Sequence, residues 1–163
     1  KNQLFYDEIG QLADSEKDIF WSFRLHPVQM KLPQYKYMIN YMNNFCKNKK
    51  NIDFKIVSKL PLLNALELHD CHLQMSSSTC YEAAMLGIKS LILCPSVQNN
   101  GQDPNRFSDL VQEGYVEKVF IDKEKVLNWV RSTKKITPRG LNNKNIQKYD
   151  ECLDWLLSLG KLI

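Results

Sequence analysis

The sequence has no apolar run approaching the roughly 20 residues that a membrane-spanning helix needs, and nothing at its start resembles a secretory leader. Its five cysteines, Cys46, Cys71, Cys80, Cys94 and Cys152, are odd in number and show no paired metal-ligand spacing. They are expected to be reduced and buried, in a cytoplasmic protein. The histidines and carboxylates have no metal-ligand spacing, and no separate nucleophile arrangement stands out. Internal repeats and low-complexity segments are missing too. An initiator is lacking, since the first residue is Lys1, so the chain is expected to be a processed or cut part of a longer protein.

What is present fits one soluble domain with a real core: 163 residues, 44% hydrophobic and 25% charged. The net charge of +4 is mild and lysine occurs along the whole chain, which suggests attraction to anions and argues against a nucleic-acid platform. Peripheral association with a membrane surface stays open on composition alone.

Residues 70–95, DCHLQMSSSTCYEAAMLGIKSLILCP, read as strand, turn, helix, strand. Residues 72–75 form a short apolar strand, 76–79 are four hydroxyl residues, 81–87 are helical, and 90–94 form a second buried strand. This is the pattern of a parallel crossover unit. Its polar turn lies where a strand ends and a helix begins, a place that attracts phosphate or carboxylate.

Around that unit, residues 3–17 suit a helix, and 18–25 an aromatic-rich strand that stops at His26-Pro27. The apolar spacing predicts a helix over 33–47, a strand over 54–58, and a helix over 60–69 with Pro61 in its first turn. A loop follows over 96–105, then a helix over 106–113 stopped by Gly114, and a strand over 116–121. Asp122 should cap a helix over 123–132; 134–145 read as a polar linker and 146–159 as a final amphipathic helix. The alternation predicts an α/β, doubly wound parallel sheet of Rossmann-like type.

In such a sheet ligands bind beyond the carboxyl ends of the strands, where His26-Pro27, the 76–79 turn and the 96–105 loop would all lie. Ser76, Ser77, Ser78 and Thr79 could donate hydroxyl and amide hydrogen bonds to a phosphate. One of them would suffice as a helix cap, and four exceed that need. Glu82 could accept hydrogen bonds from two ribose hydroxyls, or be a surface glutamate favoured by the helix dipole. Arg24 and His26 could both meet an anion at a strand end.

Taken together, these residues resemble the carboxyl-terminal, donor-binding half of GT-B-fold glycosyltransferases over residues 18–130. His26-Pro27 and Ser76-Ser77-Ser78-Thr79 are similar to the HP and Ser/Thr-rich motifs of bacterial sialyltransferases and related capsule and lipopolysaccharide transferases. That resemblance implies a cytidine monophosphate sugar donor, with His26 at the nucleotide or its phosphate and Ser77, Ser78 and Thr79 at the phosphate. The stretch from Ser76 through Glu82 to Leu86-Gly87 also resembles the UDP-binding segment of UDP-N-acetylglucosamine 2-epimerases, where the glutamate binds ribose; that family has glycines where Ser77 and Ser78 stand.

The resemblance thus implies one nucleotide-sugar-binding domain over 1–163, with 141–163 a linker and carboxyl-terminal helix, and with its own amino-terminal acceptor domain missing. It implies a metal-independent enzyme of bacterial surface polysaccharide synthesis, transferring a CMP- or UDP-linked sugar to a glycan. The catalytic base would reside in the missing half, leaving the fragment inactive alone. No cofactor, metal or nucleic acid is expected, and the location would be cytoplasmic, at the inner face of the membrane. The alternatives are a UDP-sugar 2-epimerase-like domain and a non-catalytic binding module that keeps the fold.

Overall fold

In chain order the elements are α1 (Asp7–Ser15), β1 (Trp21–Ser22), α2 (Pro27–Lys31), α3 (Lys36–Phe45), β2 (Ile52–Asp53), α4 (Leu62–Glu67), β3 (Cys71–Gln74), α5 (Thr79–Met85), β4 (Lys89–Ile92), α6 (Ser108–Gln112), β5 (Val116–Lys118) and α7 (Lys123–Ser132). This computed structural model describes residues 6–139. Among the described residues the chain is mixed α/β, with one parallel sheet of two strands and another of three. Its described residues fall into two compact units, 6–69 with 119–132, and 70–118 with 133–139.

In the first unit, Asp7 and Glu8 sit in the opening turn of α1, where the dipole favours negative charge, and Ile9, Leu12 and Ala13 are buried at helical spacing. The helix runs into a buried asparagine. Asn51 places its amide nitrogen 3.0 Å from the Ala13 carbonyl oxygen, 3.2 Å from that of Glu16 and 3.3 Å from that of Ile19. Ala13 lies in the last turn of α1 and Glu16 and Ile19 just beyond it, the Glu16 carbonyl also accepting the Ile19 N–H at 3.3 Å, so one side chain ties the end of α1 to the segment that leaves it. Directly after Asn51, β2 pairs in parallel with β1, Trp21 opposite Ile52. On the other side of the fold's chain order, α7 opens with Asp122 Oδ1 accepting the Lys125 N–H at 2.8 Å, the cap expected from sequence. It buries Val126 and Trp129, and Arg131 pairs with Glu16 at 2.7 Å.

In the second unit the strand order is β3-β4-β5, all parallel, with Gln74 opposite Ile92 and Ile92 opposite Lys118. The links between parallel neighbours carry α5 and α6, as such crossovers require. Cys80 and Ala84 from α5 pack with Ile92, Val97, Phe107, Leu110 and Val116 into one core cluster. Side chains of the size of Ile92 and Leu110 contribute about 1.5–3 kcal/mol each when fully buried.

Several boundaries differ from those predicted. Of the strand expected over 18–25, only Trp21 and Ser22 pair as a strand, because β2 offers two residues; the Phe23 N–H adds one more bond, to the Asp53 carbonyl at 2.8 Å. The strand expected over 54–58 is instead a run of turns. Asp53 causes this: its carboxylate accepts the N–H groups of Ile56 at 3.1 Å and Val57 at 2.7 Å and coils the chain as it leaves β2. Phe54 and Val57 are buried all the same, which is why their apolar character looked strand-like. The 116–121 strand ends at Lys118, and the 106–113 helix begins only at Ser108, since Phe107 takes a left-handed φ of 64°.

The first part of the expected polar linker is bound to the second unit. The Ile136 N–H donates to the Gly87 carbonyl and the Arg139 N–H to the Ala84 carbonyl, both at 2.8 Å, and the Tyr115 hydroxyl donates to the Thr137 carbonyl at 2.8 Å. Arg139 also grips Glu113 at 2.6 Å and Asp109 at 3.1 Å. Gly87 permits this approach: its φ is +70°, and a Cβ there would lie 2.0 Å from the Ile136 oxygen. The predicted helix over 146–159 and Cys152 lie outside the described residues.

Candidate functional site

Parallel pairing brings the carboxyl ends of β3 and β4 to one edge, where the Leu93 N–H donates to the Gln74 carbonyl at 3.0 Å. Beyond β3 comes the 76–79 turn, and beyond β4 come Cys94, Pro95 and Ser96. Ser77 and Ser78 are exposed, and Ser76 and Thr79 are half-buried. The turn is folded by its own backbone: the Ser77 N–H donates to Gln74 Oε1, the Thr79 N–H to Ser77 Oγ at 3.3 Å, and the Tyr81 N–H to the Ser78 carbonyl at 2.9 Å. Ser78 is the residue that enters α5, yet its side chain makes no capping bond.

On the β4 side, the Cys94 thiol lies 2.9 Å from Ser96 Oγ. The Ser96 hydroxyl above all, with help from the Ser76 hydroxyl and against partial burial, holds the Cys94 thiol below its ordinary titration range. Burial acts the other way on the β3 thiol, pushing Cys71 up to about 11. Past Cys94, Pro95, Ser96, Asn100, Gly101 and Gln102 line a shallow depression of about 410 Å³. Gly101 is needed there, because a Cβ would sit 2.3 Å from the Ser96 oxygen.

Two polar atoms beside this edge are buried without a partner, Glu82 Oε2 and Gln74 Nε2. Such a group costs about 1–3 kcal/mol when left unsatisfied, and for Gln74 the neighbouring Cys80 thiol offsets part of that cost. The arrangement can present the hydroxyls of Ser77 and Ser78 to an anionic or polyhydroxylated group.

His26 and Pro27 belong to the first unit and Ser76, Ser77, Ser78, Thr79 and Glu82 to the second. His26 is exposed and forms a capping box at α2: its Nδ1 accepts the Val28 N–H at 3.2 Å and its own N–H donates to Gln29 Oε1 at 2.8 Å, with Pro27 in the first turn. With Nδ1 accepting, the proton of the neutral ring resides on Nε2. Arg24, paired with His26 in the sequence reading as an anion contact, donates through Nη2 to the Leu60 carbonyl at 2.9 Å.

Sequence reasoning passed over Gln74 and Cys94, and had Ser96 as the first residue of the 96–105 loop expected at this edge. A polar residue closing an apolar strand was the available signal for Gln74; Cys94 read as one more buried strand residue, with Ser96 two residues on, while its second hydroxyl neighbour, Ser76, meets it only once β3 and β4 pair. Among the described residues no group of His, Cys, Asp and Glu could hold a metal ion, and no helix is long and apolar enough to cross a membrane. Comparison with known protein families, with curated proteins and with solved structures finds no match.

Proposed function

We propose that this chain is the donor-binding part of a GT-B-type glycosyltransferase, with a nucleotide-sugar held at the carboxyl edge of β3 and β4. The full reading is a Rossmann-like, doubly wound domain forming one half of such an enzyme, with the acceptor glycan and the catalytic base handled by the other half. One observation carries it: the 76–79 hydroxyl turn and the 94–96 segment share one edge of a parallel sheet, next to a glutamate oxygen that is buried and unpartnered. Serine hydroxyls there suit the phosphate, and Glu82 suits neighbouring ribose hydroxyls. As the glycosidic bond breaks, the same donors would stabilise charge on the leaving phosphate, a contribution of about 3–4 kcal/mol per well-aimed donor in other enzymes.

The internal bonds of the turn favour a second reading, the non-catalytic module, because two of its amides are already engaged. Calorimetric titration with CMP, CDP, UDP and GDP separates the two. Selective binding that is lost in the Ser77→Ala, Ser78→Ala double variant supports the donor site, CMP pointing to the sialyltransferase-like class and UDP to the broader UDP-sugar families, epimerases included. The double variant binding as tightly as the parent, or silence across the panel, rejects it. His26→Ala in the same titration tests, on its own, the role that the resemblance implies for that residue.

A further inference from the structure

Charge in this chain is far from evenly placed. Residues 19–60 hold eight Lys and Arg against a single acidic residue, Asp53, a net +7, whereas the whole chain nets +4. Within that stretch Lys49 is paired with Asp14, and Arg24 is spent on the Leu60 carbonyl. Lys31 and Lys36 are exposed and form no ion pair among the described residues.

The same stretch exposes apolar side chains in two helical pairs. On α2, Val28 is 45% and Leu32 41% exposed, four residues apart and joined by the Leu32 N–H bond to the Val28 carbonyl. On α3, which packs against α2, Tyr37 is 46% and Tyr41 37% exposed, again four apart and so on one face. Tyr41 stacks on Phe45 with ring centroids 6.4 Å apart, which props the aromatic row in place. Meanwhile Met38 and Met42 turn inward, so α3 is amphipathic with an outer side that is aromatic as well as polar.

We infer that the α2–α3 surface of the first unit is a docking face for a bilayer rich in anionic phospholipid. Lysines supply the long-range attraction; Val28 and Leu32 reach the acyl boundary; the tyrosines, apolar in body and polar at the tip, sit at headgroup level. A nucleic acid fits this face less well, because its one arginine is engaged and two of its four exposed apolar groups are aliphatic and cannot stack on bases. The surface belongs to the first unit alone and is independent of the nucleotide reading.

The test is sedimentation of the full chain with vesicles of phosphatidylcholine alone and of phosphatidylcholine with one third phosphatidylglycerol, alongside gel shift with an RNA homopolymer. The chain should partition onto the anionic vesicles only. Lys31→Ala with Lys36→Ala should weaken partitioning about 25-fold, at about fivefold per lysine. Tyr37→Ser with Tyr41→Ser should weaken it with Lys31 and Lys36 still present, and circular dichroism should show both variants folded, since all four side chains are exposed. Equal partitioning of parent and variants, partitioning onto neutral vesicles as strong as onto anionic ones, or RNA binding without vesicle binding would each overturn the assignment.

Discussion

The two units close their parallel strands by opposite means. In the first, one side chain does it: Asn51 is buried, gathers the carbonyls of Ala13, Glu16 and Ile19, and hands the chain straight into β2. In the second, main chain meets main chain: residues 136–139 lie on the end of α5 through Gly87 and Ala84, and the Arg139 fork ties them to α6 and its flank. The first solution consumes a buried polar side chain to hold the fold. The second works through backbone at the far end of α5, and buried polar atoms without a partner occur in both units, Gln74 Nε2 and Glu82 Oε2 in the second and Trp21 Nε1, Arg24 Nε, Asn43 Oδ1, Ser58 Oγ and Trp129 Nε1 in the first.

The largest test of this contrast is a pair of glycine substitutions. Gly87→Ala adds a Cβ 2.0 Å from the Ile136 oxygen at a φ of +70°. Neither side of that contact is a side chain that can swing away, so the loss should be about 3 kcal/mol or more in urea unfolding. Gly114 has a similar φ of +80° but nothing within 4 Å. Gly114→Ala should therefore cost only the left-handed strain, about 1–2 kcal/mol. Equal losses at the two glycines would mean that the 136–139 contact contributes nothing to the second unit.

Next in size is Asn51. Replacing it by Ala takes the side-chain donor from the Ala13, Glu16 and Ile19 carbonyls, of which Glu16 keeps the Ile19 N–H, and should lower stability by about 2 kcal/mol, within the range for an orphaned buried group. Asn51→Asp should be worse than Ala despite its near-identical shape, because a carboxylate cannot donate and would face three carbonyl oxygens. If Asp were tolerated as well as Asn in the same unfolding series, the closure of α1 would have to lie elsewhere.

How legible these features were follows from their range along the chain. Helices α1, α3, α5 and α7 could be read because their signals are local: apolar residues three and four apart, acids in the first turn, and Asp122 one residue ahead of Lys123. The mixed α/β class and the parallel unit around the 76–79 turn were legible for the same reason. Strand extents were not. A strand is as long as its partner allows, and nothing within 18–25 announces that β2 ends after Ile52 and Asp53.

Asp53 was illegible for a related reason. Its capture of the Ile56 and Val57 amides turns an apolar run into a coil, and only the position of the carboxylate, not the apolar pattern, says so. Likewise the hydroxyls could be seen at Ser76 to Thr79, whereas the approach of Ser76 to Cys94 depends on β3 and β4 lying side by side. The 134–145 stretch looked like a solvated linker because it is mostly polar and holds Pro138 and Gly140, while the bonds of Ile136 and Thr137 run through backbone atoms that composition does not report.

The smallest expected effect bears most directly on function, because it compares the two helix entrances that the sequence singles out. At α2, His26 spends Nδ1 on the Val28 N–H and its own N–H on Gln29. His26→Ala should thus cost about 1 kcal/mol, the usual price of a lost cap. At α5, the corresponding residue Ser78 makes no capping bond with its side chain. Ser78→Ala should then leave the unfolding free energy within about 0.5 kcal/mol of the parent, as at exposed sites without a special feature. That pairing separates structural from available polar groups without any ligand in the tube. Should Ser78→Ala lose as much as His26→Ala, the hydroxyl would be a cap in solution, and the turn would have one fewer free donor to offer a phosphate. A loss confined to His26 would leave the Ser78 hydroxyl unclaimed by the fold, and that is the condition the donor site needs.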